Sequence, residues 1–306
     1  MERPGAGHGE IVSGVSEAAD LASGKGHHDE NFPVASFLIQ PRNRSAIFAF
    51  YRFARAADDI ADNAQAAPDE KLALLESFRS TLIGGSDAAL EASELRDVLK
   101  NRNLAPQHAL DLLEAFRRDV TVRRYPTWDS LLDYCRYSAM PVGRFVLDVH
   151  GESRDTWPAN DALCAALQVI NHLQDCQKDY WALDRVYLPQ DDMAAAGVDV
   201  SALDAATASP ALRRLLQDLT RRTMTLLAIA RPFARQIRDA RLALEVTVIQ
   251  KFAEDLCRKL VRNDPLSQRV HHTKAELVPL LVQSLARFGV TRLTPTRTLS
   301  LAEGKR

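Results

Sequence analysis

Four charged residues share one face of the first strongly helical segment of the chain. Arg55, Asp58, Asp59 and Asp62 lie within eight consecutive residues. With a helical advance of about 100° per residue, their side chains fall within an arc of roughly 100°. Aromatic residues occupy the preceding turns of the helix. This face is therefore not expected to be exposed to solvent. Three carboxylates and a guanidinium on an inward-facing stripe predict a cation-binding site.

A second polar stripe lies on an otherwise apolar segment, for which the periodicity predicts a helix over 160–180. Its members are Gln168, Asn171, Asp175 and Asp179, which are again in phase on one helical face. Amide side chains inside an apolar helix are costly unless they are hydrogen-bonded. A polar ligand between the two stripes would supply those hydrogen bonds.

The two stripes together indicate magnesium and diphosphate chemistry. Mg²⁺ prefers oxygen ligands and usually bridges one or two carboxylates to substrate phosphates. Two facing helices with carboxylates four residues apart could therefore hold several Mg²⁺ ions around one diphosphate. Such ions neutralise the leaving group and promote ionisation of the C–O bond. Arg55, Lys178 and Arg185 are additional candidate donors to phosphate oxygens.

A solvated charged face is the alternative interpretation of each aspartate pair taken singly. A third pair, Asp129 and Asp133, follows Thr127 at a predicted helix start. Carboxylates at that end favour the helix dipole, so we predict a structural role for this pair. The two stripes taken together, with Gln168 and Asn171 in phase, favour function.

The elements that must position these residues are all predicted to be helices. Thr127 is the predicted N-cap of the fifth segment, and Pro141 and Gly143 are expected to kink it. Neither strand alternation nor a compositional boundary is found. The sequence therefore predicts a single all-α domain of roughly ten helices, with a central cavity between the two aspartate-bearing helices. The predicted segments are 43–62, 68–83, 87–100, 106–118, 128–150, 160–180, 190–197, 201–206, 210–230, 231–262 and 273–288.

Composition and length set the remaining expectations. The 306 residues carry a net charge of −1 and contain four cysteines without a CxxC pair. A nucleic-acid partner, a disulfide framework and a zinc site are therefore disfavoured. Without a signal peptide or a membrane-spanning run, we expect a cytoplasmic protein with peripheral contact to the inner face of the membrane. We expect a flexible segment over 1–28, one domain over 29–288 and a flexible tail over 289–306.

The two polar stripes resemble the paired aspartate motifs of the squalene/phytoene synthase family. The likeness extends over about 31–262. Tyr134, followed by Val142 and Gly143, resembles the tyrosine and kinked-helix segment of that family. The segment 184–189, with the sequence DRVYLP, resembles the loop that follows the second motif.

This resemblance implies an all-α isoprenoid synthase bundle that binds an isoprenoid diphosphate and two or three Mg²⁺ ions. The implied metal ligands are Asp58, Asp62, Asp175 and Asp179, with Asp59 as an additional candidate. The residues implied to contact the diphosphate or the active site are Arg55, Tyr134, Gln168, Asn171, Arg185 and Tyr187.

Within the family, the segments 30–36 and 171–175 are similar to those of bacterial hydroxysqualene synthases of hopanoid pathways. Such enzymes ionise presqualene diphosphate, rearrange the cation and capture water, so no NADPH is expected. Members that condense two diphosphates often carry serines at 29–31 and an arginine at 174, where this chain has Gln174. The candidates for holding the water are Tyr134, Tyr137, His172 and Gln174.

Two alternatives stay open from the sequence. The first is a head-to-head synthase that makes presqualene diphosphate, dehydrosqualene or phytoene. The second is a non-catalytic assembly factor of the same fold, which would be expected to lose metal ligands that this chain retains. Neighbouring enzymes of the squalene pathway are the expected protein partners.

Overall fold

The computed structural model describes the backbone of residues 40–293 and the side chains of residues 40–290. The predicted flexible segment 1–28 and the hydroxysqualene synthase-like segment 30–36 lie outside the described residues. Most of the predicted tail, from 294 onwards, also lies outside them.

Helices make up the architecture of the described region, which contains no β-strand. A single parallel bridge joins Arg124 to Val186. The predicted all-α class is therefore confirmed. The α-helices are α1 Pro41–Asp62, α2 Pro68–Leu82, α3 Leu90–Arg102, α4 Gln107–Thr121, α5 Trp128–Ser138, α6 Met140–His150, α7 Trp157–Gln174, α8 Cys176–Leu183, α9 Gln190–Ala195, α10 Pro210–Ala230, α11 Phe233–Gln236, α12 Ala240–Arg262 and α13 Lys274–Leu293, with short 3-10 turns at Arg154–Thr156 and Val200–Asp204.

The predicted helix over 128–150 is kinked, as expected, into α5 and α6. Thr127 caps α5 in a capping box with Ser130, whose backbone N–H lies 3.1 Å from the Thr127 hydroxyl. Ala139 leaves the helical conformation with φ −121°, and Pro141 opens the first turn of α6. Proline is tolerated there because its missing N–H would have no partner within the helix.

The prediction of one continuous helix over 160–180 is wrong, because the helix is broken at one residue. Asp175 has φ −104° and ψ 12°, which ends α7 and starts α8. A residue on each side of the break contacts a distant carbonyl: the Gln174 amide donates to the Val270 carbonyl, and the Gln177 amide donates to the Leu203 carbonyl at 2.9 Å. Asp175 therefore lies at a helix junction, and Asp179 lies in the first turn of α8.

Two later predictions also differ in detail. The segment predicted over 231–262 is interrupted between α11 and α12, where the Glu152 carboxylate accepts the backbone N–H groups of Arg238 (2.9 Å) and Asp239 (2.8 Å). Asp239 then caps α12 by accepting from the Arg241 N–H at 2.9 Å. The last helix, predicted to end at Phe288, continues to Leu293.

Two clusters of buried apolar side chains form the core. One cluster joins the first four helices, α1, α2, α3 and α4, and encloses Phe53 and Leu112 fully. The other joins α7, α10 and α12, with Ile170 and Leu256 at its centre. The helix that carries the α1 aspartates therefore packs in one cluster, whereas the residues that flank the α7–α8 junction pack in the other. A site that uses both sets must form where the clusters meet.

No helix in the part of the chain that the structure describes is both long and apolar enough to cross a bilayer.

Candidate active site

A buried carboxylate that the sequence analysis missed lies at the junction of the two clusters. Asp119, in the last turns of α4, is 4% exposed. Its Oδ2 accepts a hydrogen bond from the Tyr134 hydroxyl at 3.0 Å, and its Oδ1 accepts one from the Tyr187 hydroxyl at 3.2 Å. Hydrogen bonds to both oxygens reduce the cost of burying this carboxyl group.

Arg185 connects α4 to the end of α1. Its Nη1 donates to Asp62 Oδ1 at 2.7 Å, its Nε to the Asp119 carbonyl at 3.0 Å, and its Nη2 to the Ala61 carbonyl at 3.2 Å. The loop that carries it is docked by the Val186 N–H, which donates to the Arg123 carbonyl at 2.9 Å. Arg185 therefore donates to three groups of the protein itself, and its donation to phosphate stays a prediction.

Burial sets the protonation of this group of residues. It raises the pKa of Asp119 to about 7, against the opposing effects of Arg185 and the Tyr134 hydrogen bond. Burial and the nearby Asp119 raise the pKa values of Tyr134 and Tyr187 well above the ordinary phenol value. Both phenols are therefore neutral hydrogen-bond donors at physiological pH.

The α1 stripe divides into two parts. Arg55 pairs with Asp59 at 3.1 Å and lies 3.6 Å from Asp58, and all three side chains are partly exposed. Asp62 lies deeper, with a side chain that is 9% exposed and paired with Arg185. The predicted common face exists, but its inner end faces a guanidinium from another element.

His172 lies between members of the α7–α8 stripe. The imidazole of His172 stacks on the Tyr187 ring with centroids 3.5 Å apart. Its Nε2 lies 3.1 Å from the Gln168 amide nitrogen, and its Nδ1 lies 3.8 Å from Asp179 Oδ2. Burial, and then the neighbouring charge of Asp179, raise the pKa of Asp175. A bound cation would relieve both effects.

Electrostatic coupling links the two aspartate sets to the same buried centre. Asp58 and Asp62 raise the pKa of Asp119, and Asp119 and Asp179 both raise the pKa of Tyr187. Carboxylates from α1 and from α8 therefore raise the pKa values of Asp119 and Tyr187, which are hydrogen-bonded to each other.

The donor set fits Mg²⁺ that is shared with a ligand. Within the described residues, no three or more His, Cys, Asp or Glu side chains form a group that could hold a metal ion alone. The donors present are carboxylate oxygens, distributed over two elements. Mg²⁺ commonly takes one or two such ligands and completes its octahedron with water and phosphate oxygens. A diphosphate between the two sets would supply those oxygens.

Other residues singled out from the sequence have different surroundings. Lys178 is exposed on α8, and Asn171 is half-buried on α7. The guanidinium of Arg118 lies over the Tyr137 ring at 4.1 Å and donates to Asp133 at 2.9 Å. Asp133 thus forms an ion pair with Arg118, and Tyr137 lies in the same contact.

A weak sequence signal for Asp119 was available. On α4 it continues the row of buried positions formed by Leu112 and Ala115, at the spacing of an apolar helical face. A carboxylate in phase with buried apolar residues indicates either a buried partner or a functional site. Tyr134, Tyr187 and Arg185, which the sequence predicted as site residues, are the partners of Asp119. The two tyrosines contact its carboxylate, and Arg185 contacts its backbone carbonyl.

The chain is similar to known proteins over most of its length. The family model for squalene/phytoene synthase matches residues 25–276. A hydroxysqualene synthase from Zymomonas mobilis is 56% identical over 86% of this chain and 89% of its own length. A hydroxysqualene synthase from Rhodopseudomonas palustris is 55% identical over 86% of this chain and 90% of its own length.

Solved structures agree with these sequence comparisons. A squalene synthase, HpnC, from Alicyclobacillus acidocaldarius aligns with a TM-score of 0.67 and 30% identity over 80% of this chain and 92% of its own. A dehydrosqualene synthase aligns with a TM-score of 0.71 over 89% of this chain and 96% of its own, and at 23% identity it supports the fold alone. On these sequence and structure matches, the chain belongs to the squalene/phytoene synthase family of enzymes.

Proposed function

We propose that this enzyme is a hydroxysqualene synthase. It converts presqualene diphosphate and water into hydroxysqualene and diphosphate, which makes it a carbon–oxygen lyase. Two relatives that are 55% and 56% identical carry that activity in their names. The runner-up activity is that of a transferase joining two prenyl diphosphates, as in the phytoene synthase from Mycobacterium tuberculosis, which is 31% identical over 57% of this chain.

The structural observation that supports the proposal is that an aspartate of each set is connected to the same buried centre. Asp62 pairs with Arg185, and Asp179 lies beside His172, whose ring stacks on Tyr187, a hydrogen-bond partner of Asp119. Enzymes of this family are generally Mg²⁺-dependent, and we propose two or three Mg²⁺ ions here. When bound, Mg²⁺ supplies charge neutralisation of the leaving diphosphate. The residues proposed to hold the ions are Asp58, Asp59, Asp62, Asp175 and Asp179.

The remaining polar residues orient the substrate. Gln168 and Asn171, on the stripe that leads to Asp175, offer amide donors to diphosphate oxygens. Arg55 and Lys178 add positive charge at the outer, more exposed end of the site. Arg185 acts at the inner end, where it holds the Asp62 carboxylate in place.

Neutral aromatic side chains at the inner end suit a carbocation. The rings of Tyr134 and Tyr187 lie with centroids 5.6 Å apart, and both hydroxyls point to Asp119. Ring faces stabilise a nearby cation without forming a bond to it. We assign this role to the Tyr134 ring, because the Tyr187 ring is stacked on His172 and on Tyr125. Water then ends the reaction, and we propose that no NADPH is required.

Product analysis tests this function. Purified enzyme is incubated with presqualene diphosphate or with farnesyl diphosphate, each with and without Mg²⁺ and NADPH. We expect hydroxysqualene from presqualene diphosphate, only with Mg²⁺ and independently of NADPH. Consumption of farnesyl diphosphate alone would overturn the specific reaction and leave a condensing synthase.

Exchanging one aspartate of each set separates an enzyme from an assembly factor. Asp58→Asn and Asp175→Asn are each expected to lower kcat by about two orders of magnitude or more, since each removes a charge that stabilises the ionising state. Asp133→Asn is the matched control, because Asp133 contacts Arg118 and Arg136 on the exterior. Equal turnover by all three variants would contradict a metal-binding role, provided that circular dichroism shows intact folding.

We further propose that the enzyme acts in the cytoplasm, where its apolar substrate and product bring it into peripheral contact with the inner face of the membrane. Enzymes that make presqualene diphosphate or consume hydroxysqualene are the corresponding partners.

A further inference from the structure

We propose that Asp119 accepts the proton released on water capture, which reaches it through the hydroxyl of Tyr134. This inference rests on the proposed hydroxysqualene synthase reaction and assigns a residue to its last step. Asp119 acts through Tyr134, so it is a positioning residue and proton acceptor that need not touch the substrate.

The hydrogen-bond directions at Asp119 support this role. The Tyr134 hydroxyl donates to Oδ2 at 3.0 Å, and the Tyr187 hydroxyl donates to Oδ1 at 3.2 Å. The hydrogen bonds of Arg185 go to the Asp119 carbonyl and to the Asp62 carboxylate. The guanidinium therefore offsets the charge of Asp119 from nearby, while the carboxylate oxygens face neutral phenols.

The proton balance of the step closes on these atoms. The oxygen of water bonds to the cationic carbon, and one of its O–H bonds breaks. That proton passes to the Tyr134 oxygen as the proton of Tyr134 moves along its hydrogen bond to Oδ2 of Asp119. The carbocation becomes a neutral alcohol, and the Asp119 carboxylate becomes a carboxylic acid. Release of product then opens the site for return of the proton to solvent.

Tyr134 is the better conduit of the two phenols. The Tyr187 ring is stacked on His172 with centroids 3.5 Å apart and on Tyr125 with centroids 5.4 Å apart. The Tyr134 ring is tilted at 42° to His172 and at 50° to Tyr125. We therefore assign Tyr187 to hold the second oxygen of Asp119 in place.

His172, the other nearby base, is already engaged. Its two ring nitrogens face the Gln168 amide and the Asp179 carboxylate.

The surroundings make Asp119 a competent acceptor near neutral pH. Its pKa of about 7 reflects burial first, opposed by Arg185 and by the hydrogen bond from Tyr134. A proton acceptor is most effective when its pKa lies near the working pH. The titratable and charged groups that face it are Asp58 and Asp62 from α1, Tyr134 from α5, and Tyr125, Arg185 and Tyr187 from the flanking loops.

The test compares ionisation with water capture in the same Mg²⁺-loaded enzyme. Diphosphate release from presqualene diphosphate reports ionisation, and the alcohol fraction of the products reports capture. Asp119→Asn and Tyr134→Phe are each expected to retain diphosphate release while the alcohol fraction falls at least about tenfold, replaced by hydrocarbons formed by proton loss. Asp119→Glu restores part of the alcohol fraction. Asp133→Asn serves as the control with unchanged products.

The pH profile provides a readout that a merely structural role would not move. In the wild type, the rate of alcohol formation is expected to rise with pH as Asp119 ionises. That rise is expected to be absent in Asp119→Asn. A wild-type alcohol fraction and pH profile in Asp119→Asn would overturn the proposal. If that variant does not fold, the same products from Tyr134→Phe as from the wild type would overturn it.

Different results would overturn the reaction and the relay. If the wild type releases no diphosphate from presqualene diphosphate, the proposed function fails and the relay fails with it. If the wild type makes the alcohol and the variants do so equally well, only the relay fails.

Discussion

Arg185 and its two acidic neighbours show how single residues hold this site together. The guanidinium is enclosed, with a side chain that is 6% exposed. Burial alone would lower its pKa, yet the pKa is raised because Asp119, Tyr187 and Asp62 favour its charged form. The contact joins residues 123 positions apart in the chain. It therefore fixes the end of α1 against α4 and the following loop.

Replacing Arg185 is expected to destabilise the fold. Arg185→Gln removes the buried guanidinium that pairs with Asp62, and such a loss typically costs about 3–5 kcal/mol of unfolding free energy. Arg124→Gln is the matched control, because Arg124 pairs with Asp184 at 2.6 Å while that carboxylate is 65% exposed, and exposed pairs contribute about 1 kcal/mol or less. Urea unfolding measures both. Equal losses in the two variants would contradict the central position of Arg185.

Asp119 gives the stability of the protein a specific pH dependence. Its pKa in the folded protein is about 7, raised from 3.8 by burial. The folded state thus holds the proton more tightly than the unfolded state, so this contribution to stability is fully present below the unfolded pKa and is lost as pH rises to about 7. Asp119→Asn, which is neutral at every pH, should remove that decline.

The measurement is the melting temperature of wild type and Asp119→Asn between pH 5 and pH 8, in EDTA. We expect the variant to gain stability relative to the wild type as pH rises through this window. A difference that does not change with pH would show that Asp119 is ionised throughout.

At the scale of elements, the contact between α6 and α7 depends on a glycine. A Cβ added at Gly143 would lie 2.0 Å from the Asn160 Oδ1 and 2.7 Å from the Cys164 Sγ. Asn160 is 1% exposed and is held by its hydrogen bond to Asp161 Oδ1 at 3.1 Å. The kink at Ala139 and the absence of a side chain at Gly143 together let α6 approach α7. This contact supports the helix that carries Gln168 and Asn171.

Gly143→Ala is expected to destabilise the protein by about 1–3 kcal/mol, the usual cost of forcing an extra group into a packed interior. Gly143→Ala combined with Asn160→Ala should lose less than the sum of the two single changes, because the second change removes the atom that clashes. Urea unfolding of the four proteins gives the coupling energy. Strict additivity would mean that the close approach does not limit packing here.

On the scale of the whole molecule, the site lies between two packed clusters. Apolar residues of α1 belong to one cluster, and those that flank the α7–α8 junction belong to the other. No metal group is complete within the described residues. In the function that we propose, a ligand that carries several oxygens bridges the two sets of aspartates, and we expect it to stabilise the molecule only together with the metal.

Thermal shifts test this bridging. Mg²⁺ alone and inorganic diphosphate alone are each expected to raise the melting temperature little, whereas both together should raise it by several degrees, since ligands that bind only the folded state stabilise it. Asp175→Asn should reduce the joint effect, and Asp133→Asn should leave it intact. A full shift with Mg²⁺ alone would indicate a complete protein metal site.

Local periodicity was enough to predict the helices and the two polar stripes, because side-chain phase within a helix depends only on spacing along the chain. It predicted α10 at 210–230 and the ends of α1 and α12 to the residue. The kink before α6 followed from Pro141. The resemblance of the aspartate motifs to the squalene/phytoene synthase family agrees with the family match.

Tertiary structure decided what the sequence could not. The break at Asp175 accompanies contacts of Gln174 and Gln177 with distant carbonyls, and no local pattern encodes these. The role of Asp119 depends on Arg185, which is 66 residues further along the chain, and on two tyrosines from other elements. The spacing of residues fixes which side chains share a helical face, but only the packing of separate helices brings a carboxylate, two phenols and a guanidinium together away from water.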